Sequence, residues 1–107
     1  MVLTRNQGIA QMLDDILLDE RVDDDLVDMA RNVAAAAKFA AAAGDEDGFL
    51  TLDGVEAVVA AADGYHNLQA ELRTAMRRSN VIDVENDATL VVLRYIGRVI
   101  GDPEWPR

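Results

Sequence analysis

Eight carboxylates fall between positions 14 and 28: Asp14, Asp15, Asp19, Glu20, Asp23, Asp24, Asp25 and Asp28, with Arg21 the one cation among them. Side chains of this type can move protons, hold hard cations or face a basic surface, and their spacing decides between these uses. Acid–base work needs two groups whose surroundings push their pKa values apart, and a dense run of solvated acids offers no such contrast. The run reads as a charged face with helix caps and, in its sharper form, as a patch for a basic protein partner. In a variant of that form the carboxylates imitate nucleic-acid phosphates and so occupy a DNA- or RNA-binding protein. Direct contact with nucleic acid is disfavoured, because this face would repel phosphates.

The remaining chemistry-bearing residues are sparse. The absence of cysteine excludes disulfides and thiolate metal sites and fits a reducing compartment. His66 has no second imidazole with which to share a metal and reads as a structural or solvated residue near a helix start. The hydroxyl nucleophiles are Ser79, Thr4, Thr51, Thr74 and Thr89, none of them in a nucleophile elbow. Neither a P-loop nor a dinucleotide-binding glycine pattern occurs. No enzymatic activity and no cofactor are expected.

A second acidic cluster, Asp45-Glu46-Asp47-Gly48-Phe49-Leu50-Thr51, resembles the centre of an EF-hand calcium loop. With Gly48 as the loop glycine, Asp45 and Asp47 occupy ligand positions and Thr51 the ninth. The first position is then Ala43 and the twelfth, normally a bidentate glutamate, is Gly54. A frame running from Asp45 to Glu56 restores terminal acids but places Leu50 where the chain must turn on a glycine. Neither register completes a cage. Asp45, Asp47, Thr51 and Glu56 therefore stand as weak metal candidates beside the plainer reading of an acidic turn before a helix, and calcium is expected not to matter.

Trp105, the sole tryptophan, sits between Pro103 and Pro106 in a short tail, residues 102–107. Two placements are open. The favoured one folds the indole back onto the domain; the other leaves it as an exposed anchor for a partner, a use in which tryptophan is over-represented. Arg73, Arg77 and Arg78 form the main basic cluster, with Arg94 and Arg98 a turn apart further on. These are expected to pair with acids of the same or a neighbouring copy.

The elements that position these groups follow from charge and periodicity. The chain has 107 residues, half of them apolar, and a net charge of −10. All of that excess lies in residues 1–63, where fourteen acids face four bases; residues 64–107 hold six of each. A chain of this length forms one domain, here residues 1–107, and removes about two-thirds of its unfolded surface from water. No apolar run approaches the roughly 18 residues needed to span a bilayer, so a soluble cytoplasmic protein without membrane contact is expected. Nine arginines to one lysine, with abundant alanine and aspartate, resembles the usage of high-GC bacteria, their phages and salt-adapted organisms.

Helical spacing dominates. Ile9, Met12, Leu13, Ile16 and Leu17 predict a first helix from about Arg5 to Leu18, opened by a Thr4/Gln7 capping box. Asp23 to Asp25 start a second, whose stripe Leu26, Met29, Ala30, Val33, Ala37 and Ala40 runs to Gly44. Its alanine-rich half favours close approach of a neighbouring helix. Thr51 or Asp53 caps a third helix ending at Gly64. Asn67 caps a fourth with Leu68, Leu72, Ala75 and Met76 inward. After a break at Ser79 and Asn80, Val81 to Val84 reads as extended. Asn86 or Asp87 then caps a final helix, Ala88 to Ile100, apolar nearly all round. The expected fold is all-α, a compact bundle of about five helices packed antiparallel or orthogonally, with no substantial sheet.

On these grounds the expected function is that of a small acidic non-enzymatic protein that binds another protein, with self-assembly as a further mode. It resembles the accessory proteins of phages and high-GC bacteria. The alternatives are the nucleic-acid-mimicking inhibitor and the calcium-responsive module. The candidate partner surface comprises Asp14, Asp15, Asp19, Glu20, Asp23, Asp24, Asp25, Asp28 and Trp105.

Overall fold

Leu13 and Leu17, one helical turn apart, both point inward and begin the core. The computed structural model describes residues 12–42, 52–78 and 84–105, and no strand occurs among them. Among the described residues five helices follow in chain order: α1 (Leu13–Ile16), α2 (Asp24–Ala42), α3 (Leu52–Ala61), α4 (His66–Arg78) and α5 (Val84–Ile100). The all-α expectation is met. The Thr4/Gln7 box, the first helix's start near Arg5, the Gly44 stop, the Asp45, Asp47 and Thr51 loop, the Ser79 and Asn80 break and positions 81–83 lie outside the described residues.

The organising element is α2. The Asp23 carbonyl accepts its first intrahelical bond from the Val27 N–H at 3.0 Å. Asp24 and Asp25 occupy the first turn, where each negative charge is worth about 0.3–1 kcal/mol against the helix dipole. The buried positions are Leu26, Met29, Ala30, Val33, Ala37 and Ala40, the same stripe that the spacing predicts. Small alanines let neighbours come close, and α2 packs against both α3 and α5 while α4 packs on α3 and α5. Each fully buried Leu, Val or Met contributes about 1.5–3 kcal/mol to holding this core.

Three boundaries differ from expectation, each for a local reason. The α1 helix ends at Ile16, not Leu18: the Leu18 and Asp19 N–H groups reach back only three residues, to Asp15 and Ile16, and Leu18 is left 78% exposed. The α4 helix opens at His66, so Asn67 lies inside its first turn and Tyr65 takes the cap position, its carbonyl accepting from the Gln69 N–H at 2.9 Å. Ring packing fixes that start, since Tyr65 meets Tyr95 edge-on with centroids 5.8 Å apart. The α5 helix opens at Val84, so Val84 is helical, not extended, and Asn86 and Asp87 are interior positions. There Val84, Ala88, Val92 and Ile96 recur every four residues on the buried side, and this burial overrides the β-propensity of Val84. Buried Thr89 satisfies its hydroxyl by donating to the Glu85 carbonyl at 2.7 Å.

The end of α5 is closed by a Schellman motif. The Asp102 N–H reaches the Gly97 carbonyl at 2.8 Å and the Gly101 N–H reaches Arg98 at 3.3 Å, with Gly101 at φ +79°. This turns residues 102–105 back across Gly97. A Cβ at Gly97 would sit 2.9 Å from the Asp102 carbonyl oxygen and 3.3 Å from that of Trp105. Gly97→Ala is therefore expected to lower stability by about 1–3 kcal/mol through overpacking, read as a shift in the urea midpoint. An unchanged midpoint would mean that the tail does not lie on α5 in solution.

Candidate partner-binding face

The acidic face is built from three pieces of chain: α1 carries Asp14 and Asp15, the turn carries Asp19 and Glu20, and the start of α2 carries Asp23, Asp24, Asp25 and Asp28. All of these except Asp19 are exposed. Exposed Arg31 donates to Asp14 at 3.2 Å, a solvated pair of the kind worth little. Asp15, Glu20, Asp23, Asp24, Asp25 and Asp28 make no ion pair among the described residues.

Asp19 is different, and the difference organises the turn. Its carboxylate accepts from the Arg21 backbone N–H at 2.9 Å and from Arg21 Nε and Nη2 at 3.0 and 2.7 Å. It also accepts from the indole N–H of Trp105 at 3.0 Å. Arg21 reaches onward to Asp102 at 3.3 Å. Side-chain hydrogen bonding from Arg21, with the backbone bond and a smaller share from Trp105, holds the Asp19 carboxyl well below the usual carboxylate range. The same contact with Asp19 raises the Arg21 guanidinium above its ordinary value. The group that lies amid the acid run is thus a structural clasp between the turn and residues 102–105.

Trp105 is folded back, as favoured from the sequence, and is 7% exposed with its N–H engaged. Of the nine residues assigned to the partner surface, Trp105 and Asp19 therefore meet each other, and the tryptophan supports the acidic turn from within. As an exposed anchor it is corrected: burial leaves almost none of the ring to offer a partner.

A second surface emerges from α4 and α5. Between them runs an open cleft of about 470 Å³ whose lining includes Ala70, Ala75, Val91, Arg94 and Arg98. Arg98 is tied to Glu71 across the cleft and lies over the Tyr95 ring at 5.9 Å, and the Glu71 hydrogen bond raises its pKa. Arg94 makes no ion pair among the described residues. Sequence spacing placed both arginines on one side of the helix but carried no sign of the cleft, which needs the small side chains of α4 opposite them. The Tyr65 hydroxyl is pushed above its ordinary pKa, first by burial and then by the charges of Asp25 and Asp23.

Of the calcium-loop candidates only Glu56 is described; it is exposed on α3 and lies 3.9 Å from Arg73. Among the described residues no group of three or more His, Cys, Asp or Glu is placed to hold a metal. No described helix is long and apolar enough to cross a membrane. His66 is exposed at the start of α4. No protein-family model, curated protein or solved structure is similar enough to this chain to count as a match.

Proposed function

We propose that this chain is a non-enzymatic binding protein of the cytoplasm, of the accessory kind its arginine-rich composition resembles, and that its acidic α1–α2 face recognises a protein with a basic surface. The observation that supports this reading is the contrast within the acid run. One carboxylate, Asp19, is consumed in fixing the turn, while seven others project from the framework it fixes. Held charges of one sign steer encounter and discriminate between partners more than they add affinity.

The test separates charge from fold. Replacing Asp23, Asp24 and Asp25 together by asparagine deletes three charges and keeps capping capacity at these positions. The variant is expected to stay folded, with its melting temperature lowered by no more than loss of the two helix-dipole interactions, about 0.6–2 kcal/mol, allows. Partner association, measured with protein captured from host lysate, should slow by about tenfold or more at low salt. Wild-type association should itself weaken as salt rises toward about 0.5 M, where screening acts within a few ångströms. A triple variant that associates as fast as wild type would reduce the face to solvated surface. Release of the captured protein by duplex DNA would assign the partner to the nucleic-acid-binding class.

A further inference from the structure

The cleft between α4 and α5 and the acidic turn after α1 are complementary to each other. The cleft is lined by the small side chains Ala70, Thr74 and Ala75 with Val91, and at its rim Arg98 is held by Glu71 while Arg94 makes no ion pair among the described residues. The turn presents Leu18, 78% exposed, between Asp15 and Glu20, which make no ion pair among the described residues. An exposed leucine flanked by carboxylates is what a small-residue cleft with an arginine rim would receive: burial of the leucine supplies the attraction and the rim fixes its direction.

We propose that the α4–α5 cleft is a docking site for a second copy of this chain, with Leu18 of one copy seated in the cleft of the next and Asp15 and Glu20 facing Arg94. This rests on the reading of the acidic face as the recognition surface and names one partner for it. The net charge of −10 does not forbid the contact. Charges on the two copies that lie farther apart than the Debye length of about 8 Å at 0.15 M salt are largely screened, whereas touching pairs are screened far less. Because every copy carries one projection and one cleft, the contact is self-propagating unless it closes into a ring. A single leucine in an open cleft covers less than a standard interface, so exchange is fast and the assembly is weak.

The test needs only the protein itself. Sedimentation equilibrium at 0.15 M salt should give a mass that rises with concentration. Leu18→Asp removes the projection and Arg94→Glu reverses the rim; both residues are exposed, and circular dichroism should show an unchanged helical spectrum for each. Each variant alone should weaken self-association by about tenfold or more and sediment as a monomer. Mixed in equal amounts they should form a one-to-one complex and nothing larger, since one retains an intact cleft and the other an intact projection. A wild-type protein that stays monomeric up to about 1 mM, or a self-association that neither variant weakens, overturns the proposal. So does a mixture that stays monomeric. If it fails while the Asp23, Asp24 and Asp25 variant still loses its lysate partner, the acidic face remains a recognition surface for a different protein.

Discussion

Ile96→Asp is expected to abolish the folded state at 25 °C. Ile96 is 0% exposed on the side of α5 that closes the core, so the substitution loses the burial of a large aliphatic side chain, about 1.5–3 kcal/mol. It also sets a carboxylate among apolar neighbours without a partner, which costs several kcal/mol more even after the group protonates. Against a total stability of about 5–15 kcal/mol for a domain of this kind, the two losses together leave little or none. Far-ultraviolet circular dichroism should show the helical signal lost or greatly reduced. Val99→Asp supplies the control, because Val99 lies three residues further along the same helix and is 53% exposed. That variant should keep its spectrum. A folded Ile96→Asp would mean that α5 presents a different face to α2.

Trp105→Ala should cost about 3–5 kcal/mol, the usual range for removing a large buried aromatic side chain. At roughly 4–8 °C per kcal/mol, the melting temperature should drop by well over ten degrees. The tail residues that hold the indole over Gly97 would lose their anchor, and the Asp19 turn one of its donors. Trp105→Phe keeps an aromatic ring in the site but removes the N–H, so its loss should be smaller and should depend on pH. Asp19 is held below its ordinary value chiefly by Arg21 and in part by the indole. The contribution of the hydrogen-bonded carboxylate is therefore complete above about pH 4, the ordinary carboxylate range, and declines as pH falls below it toward the lowered value of Asp19 itself. Thermal unfolding of both variants across that range gives the test; an equal and pH-independent loss would place the indole N–H outside the clasp.

The parts of this fold legible in the sequence are those governed by neighbours three or four residues apart. All six buried positions of α2 followed from periodicity, because a single stripe on a long helix leaves one way to face the core. The inward Leu68, Leu72 and Met76 of α4 followed for the same reason. What misled was chemistry read at helix ends. Asn67, Asn86 and Asp87 are good caps by type, yet Tyr65 packing on Tyr95 and the burial of Val84 set those starts instead, and neither tertiary contact is visible locally. The acid run was legible as charge but not as architecture. Nothing in the spacing distinguishes Asp19 from Asp15 or Asp23 until Trp105 and Asp102 arrive beside it from the far end of the chain. The α4–α5 cleft was hidden likewise, since it exists only between two helices.

The clasp of Asp19 by Trp105 joins residues separated by 86 positions. At a synthesis rate of about 5–20 residues per second, the ribosome reaches the tryptophan some 4–17 s after the aspartate. Through that interval the acidic turn has Arg21 but neither the indole nor the second carboxylate, Asp102, that ties Arg21 in place. A nascent or prematurely terminated chain ending before position 102 thus displays the full negative charge of the face without its fixed shape. A partner that reads shape as well as charge would discriminate chains that reach Trp105 from shorter fragments.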